Sequence, residues 1–268
     1  MSTTTTAPPT MDVTGTPRTP FGRLVRTEFR KTWDTRAGFW LLLATAALTA
    51  LVMIIQLAVV VVQDLTVNYN DFLTSTNFSI ALLLPVIGIL LLTSEWSQRT
   101  AMVTFSLEPH RTRIVLAKVV VGLLLGLAAV AIALVLAAVC NLLLNAMSDL
   151  GGAWDLGAEQ TVYFVILQEI GMLTGFAFAA LLLNSPAAIV LYMVYSFVLP
   201  GIFEIGASLI GWFEDLRPWI DFGLAQAPLF DGSMMSGKDW AYFAVSGFIW
   251  LVVPLAIGFR RVLRAEVK

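Results

Sequence analysis

The chain has 268 residues, of which 58% are hydrophobic and 13% are charged; its mean hydropathy is +0.84 and its formal net charge is −2. Soluble domains are nearer half apolar and a quarter charged, so this composition excludes an ordinary soluble domain and predicts a polytopic all-α membrane protein. The chain has one cysteine, Cys140, and one histidine, His110. These counts exclude an intrachain disulfide and metal sites built from several cysteines or histidines.

The first 19 residues are rich in threonine and proline and carry few apolar side chains. A signal peptide would need an apolar core followed by a small-residue cleavage site. We therefore expect residues 1–19 to form a disordered tail.

The segment before the first apolar run predicts an amphipathic helix that lies on the membrane surface. Its apolar residues recur every three or four positions and form one stripe: Phe21, Leu24, Val25, Phe29 and Trp33. The basic residues lie mostly off this stripe and would face lipid phosphates: Arg23, Arg26, Arg30 and Lys31. Thr19 can cap this helix, and Pro20 suits its first position. The alternative is an ordinary positively charged anchor, but three continuous turns of apolar stripe favour the surface helix.

Six apolar runs are long enough to cross a bilayer, which takes about 20 residues in a helix. The predicted spans are Phe39–Val62, Phe72–Thr93, Val119–Leu144, Thr161–Leu183, Pro186–Ile210 and Trp240–Phe259. The fifth contains Pro200, Gly201 and Glu204, which predict a break near its outer end. From Pro200 to Asp239 the chain mixes aromatic and acidic residues, so we expect short extracytoplasmic helices before the last span.

The basic residues predict that both termini are cytoplasmic. With six spans, 14 of the 16 lysines and arginines precede the first span, separate the second from the third, or follow the sixth. Only Arg217 and Lys238 fall on the other side, among many acidic residues. Basic residues are enriched in cytoplasmic loops, so five or seven spans would scatter them across both sides.

The stretch between the second and third spans reads SEWSQRTAMVTFSLEPHRTRIVLAK. A short apolar face follows Thr100 and consists of Ala101, Met102, Phe105 and Leu107. Pro109 then ends the predicted helix. The stretch is either a short helix that acts as a lever on both spans or a solvated loop that carries positive charge. The residues alone favour neither.

In combination, these features resemble the ABC-2 type permease family, the membrane subunits of ATP-binding cassette exporters. The matching residues are Glu28, Lys31 and Thr35-Arg36 in the first helix, Ser94-Glu95, Thr100, Pro109, Arg111 or Arg113, Lys118, and the closing FRRVLRAEVK. The resemblance covers residues 20–268 as one permease domain. Arg99 departs from it, because a small residue, often glycine, is expected before Thr100.

The resemblance implies that the loop after the second span carries a coupling helix that docks on a separate ATPase subunit. The residues it assigns to this docking are Thr100, Met102, Phe105, Leu107, Pro109, His110 and Arg111. The chain would work as a homodimer with two such subunits in the cell membrane, in contact with lipids. It would export a small molecule, lipid or peptide, with no nucleic acid involved. ATP and magnesium would bind the partner, and this chain would hold no cofactor.

Residues 232–238, GSMMSGK, have the spacing of a phosphate-binding loop. Asp239 stands where the magnesium-binding serine or threonine would be, and no buried strand precedes the motif. We interpret it as a chance match. We therefore predict that the chain hydrolyses no ATP and that another polypeptide supplies the energy.

Gln168 and Glu169 lie within the fourth predicted span. A charge near the bilayer centre costs on the order of 2.5–3.5 kcal/mol, so Glu169 should face the protein interior. It would either line the translocation path or hold helices together through Asn141 or a broken fifth span. Two GxxxG pairs, Gly122 with Gly126 and Gly171 with Gly175, predict close helix packing, more often within one subunit than between two.

Two other classes of function compete with an exporter subunit. An intramembrane enzyme would need clustered catalytic groups at membrane depth, where the sequence offers only Glu169. A non-transporting immunity or assembly factor that recruits an ATPase would share the same features, and that alternative stays open.

Overall fold

The computed structural model describes residues 19–108, 110–147, 153–155, 157–230 and 232–265, and every regular element within them is helical. The helices are α1 (Phe21–Asp34), α2 (Arg36–Val62), α3 (Tyr69–Ser75), α4 (Asn77–Ser97), α5 (Ala101–Leu107), α6 (Arg111–Met147), α7 (Ala158–Leu182), α8 (Ser185–Leu209), α9 (Gly211–Ile220), α10 (Phe222–Ala225), α11 (Ala227–Phe230) and α12 (Gly237–Arg264). Residues 1–18 of the predicted tail, and Pro109, lie outside the described residues.

Six helices are long and apolar enough to cross a membrane: α2, α4, α6, α7, α8 and α12. This number confirms the six spans that the sequence predicts and indicates a multi-pass membrane protein. The end of the bundle that holds α1, α5 and the last turn of α12 is called the basic end below. The short helices α3 and α9 to α11 lie at the opposite end.

Helix α7 is the centre of the bundle and packs against α4, α6, α8 and α12. Small residues allow these contacts to be close. A Cβ on Gly175 would lie 2.4 Å from the carbonyl oxygen of Pro85 in α4, and a Cβ on Gly122 of α6 would lie 2.4 Å from the ring of Phe176. The glycines of both GxxxG pairs therefore pack within this chain, where close approach maximises dispersion contacts between helices.

The second span begins later than the sequence predicts. Phe72 belongs to α3, which has its own capping box, because the side chains of Asn68 and Asp71 accept each other's backbone N–H groups. The Thr76 hydroxyl then donates to the carbonyl of Leu73 at 2.6 Å. These polar contacts end α3, and α4 starts as a separate helix at Asn77.

The predicted break at Pro200 is wrong, because α8 continues to Leu209. A π-helical turn, Val194–Val198, immediately precedes the proline region. The same arrangement occurs in α12, where the π turn Phe248–Val252 precedes Pro254. A π turn widens the helix where a proline removes a backbone N–H donor, so both spans continue through their prolines. As expected, short helices follow, but they start at Gly211.

Helix α4 ends in a Schellman motif. This motif explains why a small residue is expected at position 99, where this chain has arginine. The N–H of Thr100 donates to the carbonyl of Glu95 at 2.9 Å, and the N–H of Arg99 donates to that of Trp96 at 3.3 Å. Arg99 has a φ of 58°, in the left-handed region. Glycine is the usual residue there because it has no Cβ to clash with the backbone.

We expect Arg99→Gly to stabilise the protein by about 1 kcal/mol, because it removes the cost of a left-handed conformation. The measurement is thermal unfolding of the purified protein in one detergent. The control is Gln98→Gly, since Gln98 has an ordinary right-handed backbone and should lose stability instead. Equal losses for both variants would contradict the prediction.

Candidate functional site

The predicted short helix is present as α5, between two spans at the basic end. Its inner face carries the buried Ala101 and the partly buried Thr104 and Phe105. Its outer face is exposed and consists of Met102, Val103, Ser106 and Leu107. The helix therefore has one side attached to the bundle and one apolar side available for a partner.

Four charged side chains from three helices form an ion cluster beside α5: Glu28 and Lys31 of α1, Glu95 of α4 and Lys118 of α6. Lys118 Nζ lies 2.7 Å from Glu28 Oε2, 3.4 Å from Glu95 Oε1 and 3.0 Å from the Leu91 carbonyl oxygen. Lys31 Nζ lies 2.7 Å from Glu28 Oε1 and 2.8 Å from Glu95 Oε1. Two positive and two negative charges compensate one another.

The ion cluster is largely removed from solvent. Glu28, Glu95 and Lys118 are 5%, 7% and 3% exposed. Burial lowers the pKa of Lys31, but hydrogen bonds and charge attraction from the two glutamates outweigh it, and the pKa lies above its ordinary value. Buried charges of this kind persist only when each has a partner in good geometry. The cluster therefore fixes α1, α4 and α6 relative to one another.

The ion cluster also holds α5 in place. The Thr104 hydroxyl donates to Glu95 Oε1 at 3.1 Å, so α5 is hydrogen-bonded to the carboxylate that both lysines contact. This carboxylate belongs to the last turn of α4 and pairs with Lys31 of α1 and Lys118 of α6. A displacement of α5 would therefore act on α1, α4 and α6 together.

The far end of α5 is linked to the last span through Arg111 of α6. The Phe105 ring lies 6.0 Å from the Trp96 ring, and the Arg111 guanidinium lies 4.7 Å from the Phe105 ring centre. Arg111 also donates to three carbonyls at the end of α12, those of Val262, Leu263 and Ala265. A cation is favoured there because these carbonyls lack helical partners. Thus α5, α6 and α12 are joined.

A second set of ionic contacts follows α5. Glu108 accepts from Arg113 at 3.0 Å and contacts His110 Nδ1 at 3.2 Å. Arg113 also donates to the backbone carbonyl of Thr19. The prediction that Thr19 caps α1 is wrong, because Pro20 occupies the N-cap position without a side-chain hydrogen bond.

Of the predicted docking residues, Met102, Leu107 and His110 are exposed on the outside of the basic end, and so is Thr100. Phe105 and Arg111 instead face the bundle, where they contact each other. Phe105, which the resemblance assigns to docking, is thus partly buried against the bundle. Pro109 lies outside the described residues. Sequence reasoning missed Val103, which is 63% exposed; its apolar side chain next to Met102 was the available signal.

Helix α1 buries polar side chains and leaves part of its apolar stripe exposed. Glu28 and Thr32 are buried, whereas Phe29 and Trp33 are 44% and 58% exposed. The side chains of Arg23, Arg26 and Arg30 are exposed as predicted, and Arg30 pairs with Asp34 at 2.9 Å. Lys31 is different, because it points into the ion cluster. The exposed rings and arginines fit an interface between apolar and charged surroundings.

The structure separates Gln168 from Glu169. Gln168 lines a cavity at the opposite end of the bundle, and its Nε2 donates to Asn77 Oδ1 at 2.8 Å. Glu169 faces α6, where a Cβ on Gly126 would lie 2.5 Å from its Oε1. Neither carboxyl oxygen of Glu169 is hydrogen-bonded to a described residue. Glu169 therefore lies at a helix contact and does not line that cavity.

Residues 232–238, which match the phosphate-loop spacing, lead into the last span, which begins at Gly237. Ser236 and Asp239 form a capping box, in which the Ser236 side chain accepts from the N–H of Asp239 and Asp239 accepts from the N–H of Ser236. Lys238 lies 5.5 Å from the ring centre of Tyr242. The acidic side chain at position 239 thus serves as a helix cap.

No protein-family model matches this chain, and no curated protein matches it either. The geometry at the basic end of the bundle is therefore the basis for a functional assignment.

Proposed function

We propose that this chain is the permease subunit of an ABC-2 type exporter, driven by ATP that separate subunits hydrolyse. The observation that carries the proposal is the attachment of α5. One face of α5 is joined to α1, α4, α6 and α12 through the ion cluster and Arg111. The other face presents apolar side chains to the outside. Such a helix can transmit the movement of a bound ATPase to the spans.

In this proposal two copies of the chain lie in the cell membrane with both termini in the cytoplasm, and each α5 docks on one ATPase subunit. The concentration of lysine and arginine at the basic end supports this orientation. The exposed apolar faces of α2 and α8 suit contact with lipid or with the second copy. The exported substrate would be hydrophobic or amphipathic, since the spans are mainly apolar.

The test is Leu107→Asp in a complex with the separate ATPase subunit that this proposal requires. Leu107 is 80% exposed, so the added charge should leave the bundle intact while it disrupts an apolar contact. We expect ATPase binding to weaken about 30-fold, as for a central interface residue, and permease-dependent ATP turnover to fall with it. Binding is measured by titration of the purified subunits, and turnover by phosphate release in vesicles.

The matched control is Leu107→Met, which keeps an apolar side chain and should bind and turn over like the wild type. Thermal unfolding of both variants checks that the bundle is unchanged. Wild-type binding and transport by Leu107→Asp would contradict the proposal. Coupled ATP turnover without movement of any substrate would favour the non-transporting alternative.

A further inference from the structure

The cavity that Gln168 lines lies at the opposite end of the bundle from α5, between α4, α7, α8, α12 and the short helices that precede α12. Its volume is about 550 Å³. Small-molecule sites in proteins are typically about 300–1,000 Å³, so this cavity is large enough for a ligand. It lies within one chain and does not depend on α5 or on a partner.

Eight of the described residues that line this cavity are aromatic: Phe78, Tyr192, Tyr195, Phe197, Phe203, Phe222, Phe230 and Trp250. Tyr195 and Phe197 belong to the π turn of α8, and Trp250 belongs to the π turn of α12. The Tyr195 and Trp250 rings lie 5.1 Å apart. Both irregular turns therefore contribute to one aromatic wall, and π turns in helices occur frequently at functional sites.

The hydrogen-bonding groups of the wall are largely paired within the chain. Gln168 donates to Asn77, the Tyr192 hydroxyl donates to the Ala81 carbonyl at 2.8 Å, and Trp250 Nε1 donates to the Ile220 carbonyl at 2.7 Å. A ligand would therefore be recognised mainly through ring faces and charge.

Among the described residues that line the cavity, Asp221 is the only charged one. It is 2% exposed, and its carboxylate accepts from the Leu224 N–H at 3.0 Å and from Arg217 Nε at 3.2 Å. Arg217 also pairs with Glu204, so these three charges sum to −1. Aromatic ring faces carry negative electrostatic potential as well, and both features favour a positive ligand.

We propose that this cavity binds a lipophilic organic cation, whose apolar groups contact Tyr195, Phe197 and Trp250 and whose charge is compensated by Asp221. An anion of the same shape would be repelled by the carboxylate and by the ring faces. The proposal concerns binding alone and holds whether or not α5 couples the chain to an ATPase.

The test compares tetraphenylphosphonium with tetraphenylborate, which share a shape and carry opposite charges. Binding of each radiolabelled ion to the purified full chain is measured by equilibrium dialysis in one detergent. We expect saturable binding of the phosphonium and only non-saturable partitioning of the borate. Asp221→Asn keeps an acceptor for the Leu224 N–H, and it should weaken phosphonium binding about tenfold by removing the counter-charge.

A matched pair of ring deletions keeps the proposal testable if Asp221→Asn is unstable. Phe197 and Phe248 lie in the two π turns and are 45% and 57% exposed, but only Phe197 lines the cavity. Phe197→Ala should weaken phosphonium binding about tenfold, whereas Phe248→Ala should bind like the wild type. Equal saturable binding of both ions, or equal effects of the two ring deletions, would overturn the proposal.

Discussion

Replacing Lys118 with methionine is expected to destabilise the protein by about 3–5 kcal/mol, the usual cost of removing one partner from a buried ion pair. Lys118 is the only described side chain within hydrogen-bond distance of Glu28 Oε2, and it also neutralises Glu95. Both glutamates are nearly inaccessible to water, so solvent cannot replace the lost ammonium. Thermal unfolding of the purified protein in one detergent measures the effect.

The matched control is Lys31→Met in the same ion cluster. The Lys31 side chain is 42% exposed, so solvent screens its attraction to the two glutamates, and Lys118 still contacts both carboxylates when Lys31 is replaced. We therefore expect a loss of about 1 kcal/mol or less. Combining Glu28→Gln with Lys118→Met should recover part of the stability, because one lysine then faces one glutamate and the cluster has no excess negative charge. Equal losses for Lys118→Met and Lys31→Met would mean that burial does not set the strength of the cluster.

Gly175→Ala is expected to destabilise the contact between α4 and α7 by about 1–3 kcal/mol, as for overpacking of a close contact. A Cβ at this position would lie 2.4 Å from the Pro85 carbonyl oxygen and 3.0 Å from its carbonyl carbon. These are backbone atoms, so the clash can be relieved only by separating the two helices. The expected result is a lower unfolding temperature and less folded protein in the membrane.

Gly171→Ala provides the control, one helical turn earlier on the same face of α7. A Cβ there would lie 3.6 Å from Pro85 Cγ, which is an ordinary contact distance. Since alanine also favours a helix over glycine, we expect no loss of stability. Equal tolerance of both substitutions would contradict the close approach of α4 and α7.

The six spans could be predicted from the sequence because a run of apolar residues long enough to cross a bilayer is a local property. Such a run must form its backbone hydrogen bonds within its own helix, whatever its neighbours are. Whether the fifth span ends at Pro200 could not be predicted in the same way. A proline ends a helix or only widens it according to how the surrounding turns pack, and here a π turn allows α8 to continue.

The candidate site depended more strongly on tertiary structure. The resemblance singled out Glu28, Lys31, Glu95 and Lys118 separately, but nothing local indicates that residues so distant in sequence form one ion cluster. Which way Phe105 points was equally undetermined, because a short helix can present either face to the bundle. Packing against Trp96 and Arg111 decided it.

The amino-acid sequence by itself determined the class of protein and the number of spans, whereas the residues between the second and third spans fitted a short helix and a solvated loop equally well. Composition and apolar length dominate the free energy of each segment, so these features follow from local chemistry. Only the tertiary structure decided which charges are neutralised and which of the neighbours Gln168 and Glu169 reaches the cavity at the end of the bundle opposite α5. Adjacent residues of a helix point about 100° apart, so their surroundings are set by how the helices rotate and pack.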